Sequence, residues 1–260
     1  MSQHYEQSSA LAGLDGIRHG FFGRLGGGSL GTFSQNNMSL SVGDDPNIVE
    51  RNRSEAAAML GFDRDRLCLV KQVHGTVVHT VEARPGNDTP ASADALVTGT
   101  QGLALGILTA DCTPILLADP FAGVIGAAHA GWRGAVDGIV GTTVEAMVAL
   151  GAEASRIVAA IGPTITAGNY EVGPQFMGDF LQLRSNGERF FSQGQNERAH
   201  FDLPGFVSAE LERAGIQSIE RVGGCTYASP DRYFSHRYAT HQGGTTGRQI
   251  AIIGLGQATA

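Results

Sequence analysis

The chain has 260 residues and a formal net charge of −7, which argues against nucleic acid or an anionic membrane as its partner, because both require a cationic face. Its three cysteines, Cys68, Cys112 and Cys225, include no closely spaced pair, so they indicate a reducing compartment rather than a disulfide framework. The first residues lack the basic stretch and apolar run of a signal peptide, and no apolar segment is long enough to span a bilayer. We therefore expect a cytoplasmic protein.

The N-terminal part of the chain is polar or rich in glycine. Residues 1–15 are expected to form a flexible segment. The remainder, residues 16–260, is expected to form a single domain, because no linker and no internal repeat divides it. The glycines and asparagines of residues 24–37 disfavour both helix and strand, which predicts a loop.

The first helix is predicted over residues 46–60. Asp44 or Asp45 can cap its N-terminus, and Pro46 suits its first turn. Gly61 can end the helix, because glycine readily adopts the left-handed conformation found after helices.

The middle of the chain contains short apolar runs that are typical of buried strands, separated by polar or turn-forming residues. These runs cover residues 67–73, 77–81, 103–108, 115–118 and 124–128. His74 and Gly75 divide the first two runs, and the sequence DPFAG at 119–123 predicts a tight turn between the last two.

The C-terminal half has a more helical pattern. Between Gly134 and Gly151 the apolar residues recur at helical spacing, and a further helix is predicted over residues 203–214, where Asp202 can act as the cap. Residues 250–255 are expected to form a closing buried strand. Strands grouped around hairpin-like turns, with helices interspersed without strict alternation, favour the α+β class with mixed sheets covered by helices.

Three segments place a metal-ligating side chain at the end of an apolar run: QVHG at 72–75, TADC at 109–112 and HAGWRG at 129–134. Strand ends are rigid platforms where functional side chains often lie. His74, Cys112 and His129 are suitable zinc ligands, and three protein ligands leave a fourth position for water. However, their spacing matches no zinc-finger or HExxH pattern, and a buried cysteine is usually a small hydrophobic residue. The residues alone therefore indicate a candidate metal or Cys/His site.

The same segments resemble those of a known family. QVHG, ADALVTG, TADCTPILLADP and HAGWRG, in this order, look like the hallmark segments of the YfiH/laccase-domain family, whose members have been called polyphenol oxidase, peptidoglycan editing factor and purine nucleoside phosphorylase. The similarity continues upstream through HGFFGRLGGGS, NNMSLSVGDDP and VERNR. Downstream it includes IGPTIT, NYEVG, FDLPG, CTYASPDRYFSHR and TGRQIAIIGL, so that it covers nearly the whole chain.

The resemblance implies a layered α/β/β/α sandwich and one zinc ion per chain, bound by the catalytic residues His74, Cys112 and His129. It also places Asn37, with Asn36 as the alternative, at the substrate or anion end of the pocket together with Arg53.

One downstream segment departs from the family pattern. In the commoner form of that segment, FSYRR, a tyrosine stands where this chain has His236, and a second arginine stands where it has Tyr238. Arg237 is retained, so a role for this segment rests on that residue.

The activity implied by the resemblance joins phosphorolysis of adenosine, inosine and guanosine-type nucleosides to deamination of adenosine. Bound zinc lowers the pKa of the water that deamination needs, and Asp111 is a candidate proton shuttle, although a turn residue is at least as common at such a position. Arg53 offers a bidentate fork for phosphate, with Arg133 and Arg237 as further candidates. Trp132 is able to stack on a base, but a single tryptophan more often belongs to the core. The expected partners are thus a nucleoside and phosphate, with no nucleic acid and no membrane, and the sequence indicates no protein partner.

Other functions are compatible with these residues. Cys112 and His129 are the nucleophile and base that a thiol hydrolase would need, and a metal site would also suit the editing of peptidoglycan precursors. A copper phenol oxidase, with copper in place of zinc, is less favoured because such sites need more histidine ligands than three segments supply. A metal-stabilised binding module is the non-enzymatic alternative.

Overall fold

The computed structural model describes residues 5–84, 90–194 and 198–256 of the chain. Within these ranges the strands are β1 (Tyr5–Glu6), β2 (Ile17–Phe22), β3 (Leu67–Cys68), β4 (Val78–Thr80), β5 (Ala95–Thr98), β6 (Ala104–Thr109), β7 (Thr113–Asp119), β8 (Val124–Ala130), β9 (Val158–Ile161), β10 (Glu171–Val172), β11 (Phe191–Gln193), β12 (Ala199–Phe201), β13 (Ser218–Arg221) and β14 (Gln249–Leu255). The helices are α1 (Ser9–Ala12), α2 (Pro46–Met59), α3 (Trp132–Asp137), α4 (Ile139–Ala149), α5 (Pro174–Leu183), α6 (Leu203–Arg213) and α7 (His236–His241).

Most of these strands belong to two mixed sheets. The five-stranded sheet has the order β1-β2-β14-β6-β3, and β14 is antiparallel to both β2 and β6. The six-stranded sheet has the order β13-β9-β7-β8-β5-β4, and β7 and β8 form an antiparallel hairpin at its centre. Parallel pairs occur in both sheets, β3 with β6 and β4 with β5. A smaller antiparallel sheet has the order β10-β12-β11.

The two large sheets pack face to face, and helices cover their outer faces. Side chains alternate along a strand, so Leu116 of β7 contributes to the core between the sheets, whereas Leu117 contributes to the core beneath the helices. Helix α2 packs on the outer face of the five-stranded sheet, while α4 and α6 cover the six-stranded sheet. This arrangement confirms the predicted α+β class and its α/β/β/α layers.

The two helices with clear end signals lie close to their predicted positions. Asp45 caps α2 through a hydrogen bond of 2.8 Å from the backbone N–H of Asn47 to its side chain. Asp202 caps α6 in the same way, with the N–H of Gly205 as donor. The helix predicted after Gly134 begins earlier, at Trp132, and is divided into α3 and α4 at Gly138, whose φ of 108° is left-handed. No helix of the described ranges is long and apolar enough to cross a membrane.

The strand predicted over residues 67–73 is shorter in the structure, where only Leu67–Cys68 forms β3. The reason is the side chain of Gln72, whose carboxamide donates to the carbonyl of Leu108 and accepts from its N–H, both at 2.8 Å. The Gln72 side chain thus satisfies the backbone N–H and carbonyl of Leu108 in β6, which a neighbouring strand would otherwise bind. The main chain is therefore free to leave the sheet before it reaches His74.

Part of the segment that is expected to be flexible, residues 1–15, forms regular structure. Residues 1–4 lie outside the described part of the chain. In contrast, Tyr5–Glu6 forms β1 against β2, and Ser9–Ala12 forms α1, whose Leu11 is fully buried. The side chain of Glu220 also accepts from Ser8 Oγ at 2.7 Å and from Ala10 N at 2.9 Å, which fastens α1 to β13.

Asp119 stabilises the predicted turn at 119–123. Its buried carboxylate accepts from the N–H groups of Phe121, Ala122 and Glu153 and from Arg156. Burial alone would raise the pKa of Asp119, but these donors outweigh burial and hold the pKa below 3.8. The turn therefore depends on a charged carboxylate.

We expect Asp119→Ala to lower the free energy of unfolding by about 2–4 kcal/mol at neutral pH, because it leaves several donors without an acceptor. Since the pKa of the folded state lies below the ordinary value of 3.8, the deficit should be full above that pH and shrink as the pH falls below it. Urea denaturation at several pH values measures this. Glu145→Ala, at an exposed position of α4, is the control, and an equal stability of both variants would contradict the assignment.

Candidate metal centre

The three predicted metal ligands come together where the chain crosses from one large sheet to the other. His74 lies in the loop between β3 and β4, Cys112 in the loop from β6 to β7, and His129 in β8. Their ligand atoms all lie within 4.8 Å of one another, and Cys112 Sγ is 3.8 Å from His74 Nε2. The arrangement combines ligands that are far apart in the sequence.

Backbone conformation allows this close approach. His74 and Asp111 have φ values of 62° and 89°, in the left-handed region that residues other than glycine seldom adopt. Such conformations persist where the surrounding structure holds them, often at functional sites. At Gly131, a Cβ atom would lie only 2.9 Å from His74 Cδ2 and 3.1 Å from Cys112 Sγ. A larger residue at this position would therefore displace the ligands.

Asp94 connects two of the ligands. It is fully buried, and its carboxylate accepts from His129 Nδ1 at 2.8 Å, from His74 N at 2.9 Å and from Gly75 N at 2.7 Å. Burial alone would raise the pKa of Asp94, but the hydrogen bonds from His129 and the backbone hold it below its usual range. With Nδ1 donating to Asp94, His129 is left to present Nε2 to the cluster. Sequence reasoning quoted the segment ADALVTG but did not single out its aspartate.

The charges within the cluster favour a thiolate. Burial opposes ionisation of Cys112, but the charge of His129 and hydrogen bonds with His129 and His74 lower the thiol pKa to about 6. Burial likewise opposes protonation of His129, but the charge of Cys112 and the bond to Asp94 raise its pKa to about 9. By contrast, burial raises the pKa of Cys68 to about 11. Cys112 is therefore set apart as a ligand or nucleophile.

This donor set fits a metal ion. Two imidazoles and a thiolate are the ligands of some catalytic zinc sites, and the bond from His129 to Asp94 is the usual support for a ligating histidine. The same donors also occur in copper sites, so the three side chains could hold a metal ion, and zinc stays a prediction. Within the described ranges this is the one group of three or more His, Cys, Asp or Glu side chains arranged for a metal.

Asp111, predicted as a proton shuttle, is engaged with the protein. One carboxylate oxygen accepts from Thr226 Oγ1 and the other from the backbone N–H of Arg237, both at 2.6 Å. The side chain is buried and fixes the loop that carries Cys112. These contacts agree with a structural role for Asp111, and its part in proton transfer stays a prediction.

Asn37 is fully buried and uses its whole amide within the chain. Its Nδ2 donates to Ser39 O and to Asp44 Oδ2, both at 3.0 Å. Its Oδ1 accepts from the N–H groups of Ser39 and Arg248 at 3.0 and 2.9 Å. The alternative, Asn36, is also buried and donates to the carbonyl of Gly23. The structure thus gives Asn37 the contacts of a residue that organises the loop, and substrate contact stays a prediction.

Arg53, predicted to bind phosphate, already has a carboxylate partner. Its guanidinium donates to Glu50 Oε1 at 2.7 Å and to the carbonyl of Met38 at 2.8 Å, and only 9% of the side chain is exposed. The charge that phosphate would require is therefore partly neutralised by Glu50. A phosphate role for Arg53 stays a prediction.

The remaining candidates divide into two groups. Arg133 is exposed and stacks on the ring of Trp132. The ring centres of Trp132 and Phe176 are 4.5 Å apart, so this tryptophan packs against the core. Arg237 instead contacts the loop that carries Cys112, because its backbone N–H donates to Asp111. Its guanidinium donates to the carbonyl of Glu171 and lies 5.2 Å from the centre of the Tyr170 ring. Burial, and next the charge of Cys112, raise the pKa of Tyr170.

We expect Cys112→Ala to reduce bound metal from about one ion per chain to below about 0.1, because removing one of three ligands cripples an open site. Elemental mass spectrometry of the purified protein measures the metal and identifies it. Cys68→Ala and Cys225→Ala are the controls and should keep the ion, since neither cysteine belongs to the cluster. Full occupancy in Cys112→Ala would show that the ligand set is wrong.

Asp94→Asn should weaken metal binding by about 10–100-fold, because an amide cannot accept from His129 and the backbone with both of its polar atoms. Competition with a coloured chelator measures the affinity, and circular dichroism checks the fold. Asp63→Asn, at an exposed position before β3, is the matched control. An unchanged affinity in Asp94→Asn would mean that His129 does not depend on this carboxylate.

Comparison with known proteins identifies relatives along almost the entire chain. Residues 18–256 match the family model described as multi-copper polyphenol oxidoreductase laccase. A Deinococcus radiodurans protein named purine nucleoside phosphorylase is 44% identical over 92% of this chain and 89% of its own length. A Streptomyces coelicolor protein of the same name is 40% identical over 93% of this chain and 97% of its own.

Solved structures of similar proteins also match nearly the whole chain. A Neisseria meningitidis protein of the DUF152 family superposes with a TM-score of 0.87 at 29% identity, covering 98% of this chain and 100% of its own. The YlmD protein of Geobacillus stearothermophilus also has a TM-score of 0.87, at 31% identity and with the same coverage. The family resemblance inferred from the motifs is thereby confirmed, and the chain belongs to the laccase-domain (YfiH, DUF152) family.

Proposed function

We propose that this chain is a zinc-dependent purine nucleoside enzyme that cleaves adenosine, inosine and guanosine-type nucleosides with phosphate and also deaminates adenosine. The observation that carries the proposal is the cluster of His74, Cys112 and His129 in a chain that is 44% identical to a relative named purine nucleoside phosphorylase. Zinc, deamination and the individual substrates are the specific parts of the proposal.

The two reactions make different demands on the site. In phosphorolysis a phosphate oxygen bonds to C1′ of the ribose, and the electron pair of the breaking N-glycosidic bond leaves with the purine, which then takes up a proton. In deamination the oxygen of water adds at C6, and the amino nitrogen leaves as ammonia after gaining a proton. The first reaction requires a bound oxyanion, and the second requires an activated water.

The residues of the chain contribute mainly by position and charge. Interactions with His129 and His74 lower the pKa of the Cys112 thiol to about 6, which favours a thiolate, and Asp94 fixes the tautomer of His129. A zinc ion bound by the three ligands would supply a Lewis acid at this position. Arg237, whose backbone N–H donates to Asp111, is a cationic residue next to the loop that carries Cys112. These features support a site that binds an anionic co-substrate next to a polarised group.

Zinc is proposed in preference to copper on the number of ligands. Oxidation by several copper ions needs more than one group of ligands, and the part of the chain that the structure describes contains one such group of three side chains. Three protein ligands with an open position are typical of catalytic zinc. The metal analysis described for Cys112→Ala decides between the two ions.

A second function is favoured by the pairing of Cys112 with His129. Asp94, His129 and Cys112 are linked in the order acid, base and nucleophile, and the charges favour a thiolate beside an imidazolium. This is the arrangement of a thiol hydrolase. Such an enzyme would work without a metal.

We expect the purified protein to release free base from inosine and guanosine only when phosphate is present, with ribose 1-phosphate as the second product. Adenosine should give inosine even without phosphate. Removing the metal with a chelator should slow deamination at least about a hundredfold, because a Lewis acid contributes several kcal/mol, and zinc should restore it. Chromatography with mass detection measures all products in the same samples.

The outcomes separate the candidate functions. If neither free base nor inosine forms under any condition, the nucleoside proposal is wrong. If an amide-cleaving activity survives chelation but stops after alkylation of Cys112, the thiol hydrolase takes its place. Cys225, which accepts hydrogen bonds from Thr166 and Asn169, serves as the internal reference for alkylation.

A further inference from the structure

The register of β14 brings Arg248 close to the loop that carries Cys112. Gln249, the first residue of β14, pairs with Thr109, the last residue of β6. Arg248 therefore stands next to the residues that follow Thr109 and lead to Cys112. Sequence reasoning did not identify Arg248, because this proximity depends on a strand pairing across more than 100 residues.

The backbone of Arg248 is held in place on both sides. Its N–H donates to Asn37 Oδ1 at 2.9 Å, and its carbonyl accepts from Met38 N at 2.9 Å. A Cβ atom on Gly247 would lie 2.8 Å from Phe234 Cζ and 3.0 Å from Asn37 Cβ, so this close packing requires glycine. The buried side-chain amide of Asn37 thus helps to hold the backbone of Arg248 in position.

The guanidinium of Arg248 has no carboxylate partner among the described residues. It is half-buried and donates only to the carbonyls of Thr246 and Gly247, at 3.2 and 2.9 Å. Arg53, in contrast, is paired with Glu50 at 2.7 Å. A partly desolvated cation without a carboxylate favours the binding of an anion.

Other donors at the same junction are also unused. Within the described ranges, Gln249 Nε2 and Thr109 Oγ1 are buried and have no hydrogen-bond partner. Both atoms are enclosed by protein, so we take the half-exposed Arg248 as the group that meets the ligand.

Electrostatics agree with this location. Burial lowers the pKa of Arg248, whereas the negative charges of Cys112 and Asp111 raise it, in agreement with the position that the register of β14 gives this residue. Arg237 contacts Asp111 through its backbone N–H, and its guanidinium donates to the carbonyl of Glu171. Two arginines without carboxylate partners in the described ranges are therefore neighbours of the loop that carries Cys112.

We propose that Arg248, together with Arg237, forms an oxyanion subsite beside Cys112 that binds inorganic phosphate. The inference rests on the proposed function, in which phosphate is the co-substrate. It assigns the phosphate to the start of β14 rather than to Arg53 on α2. The planar guanidinium suits two phosphate oxygens at once, which a lysine ammonium does not.

The test compares Arg248→Gln with Arg84→Gln, an exposed arginine whose partner is Asp65, in the metal-loaded protein. Arg248→Gln should raise the KM for phosphate in inosine phosphorolysis at least about tenfold, as expected for loss of a charged hydrogen bond. The KM for inosine and phosphate-independent deamination of adenosine should change less than about threefold, because they do not use the subsite. The Kd of inorganic phosphate, measured by calorimetry, should rise in parallel.

Arg248→Lys keeps the charge and should show a smaller loss of phosphate affinity, which gives a second measurement if Arg248→Gln does not fold. Phosphate constants within about twofold of the unmodified protein in either folded variant would overturn the inference. A loss of phosphate affinity in Arg53→Lys alone would place the anion on α2 and overturn it as well. If the unmodified protein cleaves no nucleoside, the proposed function fails, and the calorimetric Kd still decides whether Arg248 binds phosphate.

Discussion

The buried carboxylate of Asp94 is the contact on which the geometry of the site depends. It has no exposed surface, so its charge must be balanced by donors within the protein. Those donors are the backbone of residues 73–75 and the ring of His129. Residues 73–75 include His74, and the ring of His129 is a second predicted ligand. The carboxylate of Asp94 therefore sets the position of the two histidines relative to each other. Movement of either ligand would leave a buried charge unsatisfied.

Asp111 has a comparable effect on the third ligand. It precedes Cys112 in the loop between the sheets, and its carboxylate is bound by Thr226 and by the N–H of Arg237. The carbonyl of Asp111 also accepts from Thr164 Oγ1 at 2.7 Å. Cys112 is thus anchored to segments that follow it by more than 50 and more than 100 residues. Two buried carboxylates therefore hold a ligand set that local structure alone would leave mobile, as a preorganised site requires.

Helix caps, turn residues and apolar runs predicted the elements whose ends are set by neighbouring residues. The caps at Asp45 and Asp202 located α2 and α6, and the strand ends pointed to His74, Cys112 and His129. The strand at 67–73 was predicted too long, because the side chain of Gln72 substitutes for a backbone partner.

Contacts between distant residues were beyond the reach of such signals. The role of Asp94 depends on the pairing of β5 with β8, which brings this residue beside His129. The position of Arg248 depends on the register of β14 against β6. The order of the motifs gave the family, and only the fold shows which charged residues face one another.

The local balance of charge bears on the phosphate binding that we propose for a chain with a net charge of −7. Around the cluster, Asp94, Asp111 and the Cys112 thiolate contribute three negative charges, and Arg237 and Arg248 contribute two positive ones. Without a metal, the raised pKa of His129 adds one more positive charge, so the sum is 0. A bound divalent ion requires neutral His129 and changes the sum to +1, which would favour phosphate. The protonated form of His129 that a thiol hydrolase needs is the form that a bound metal excludes, so occupancy by the ion selects between the two chemistries.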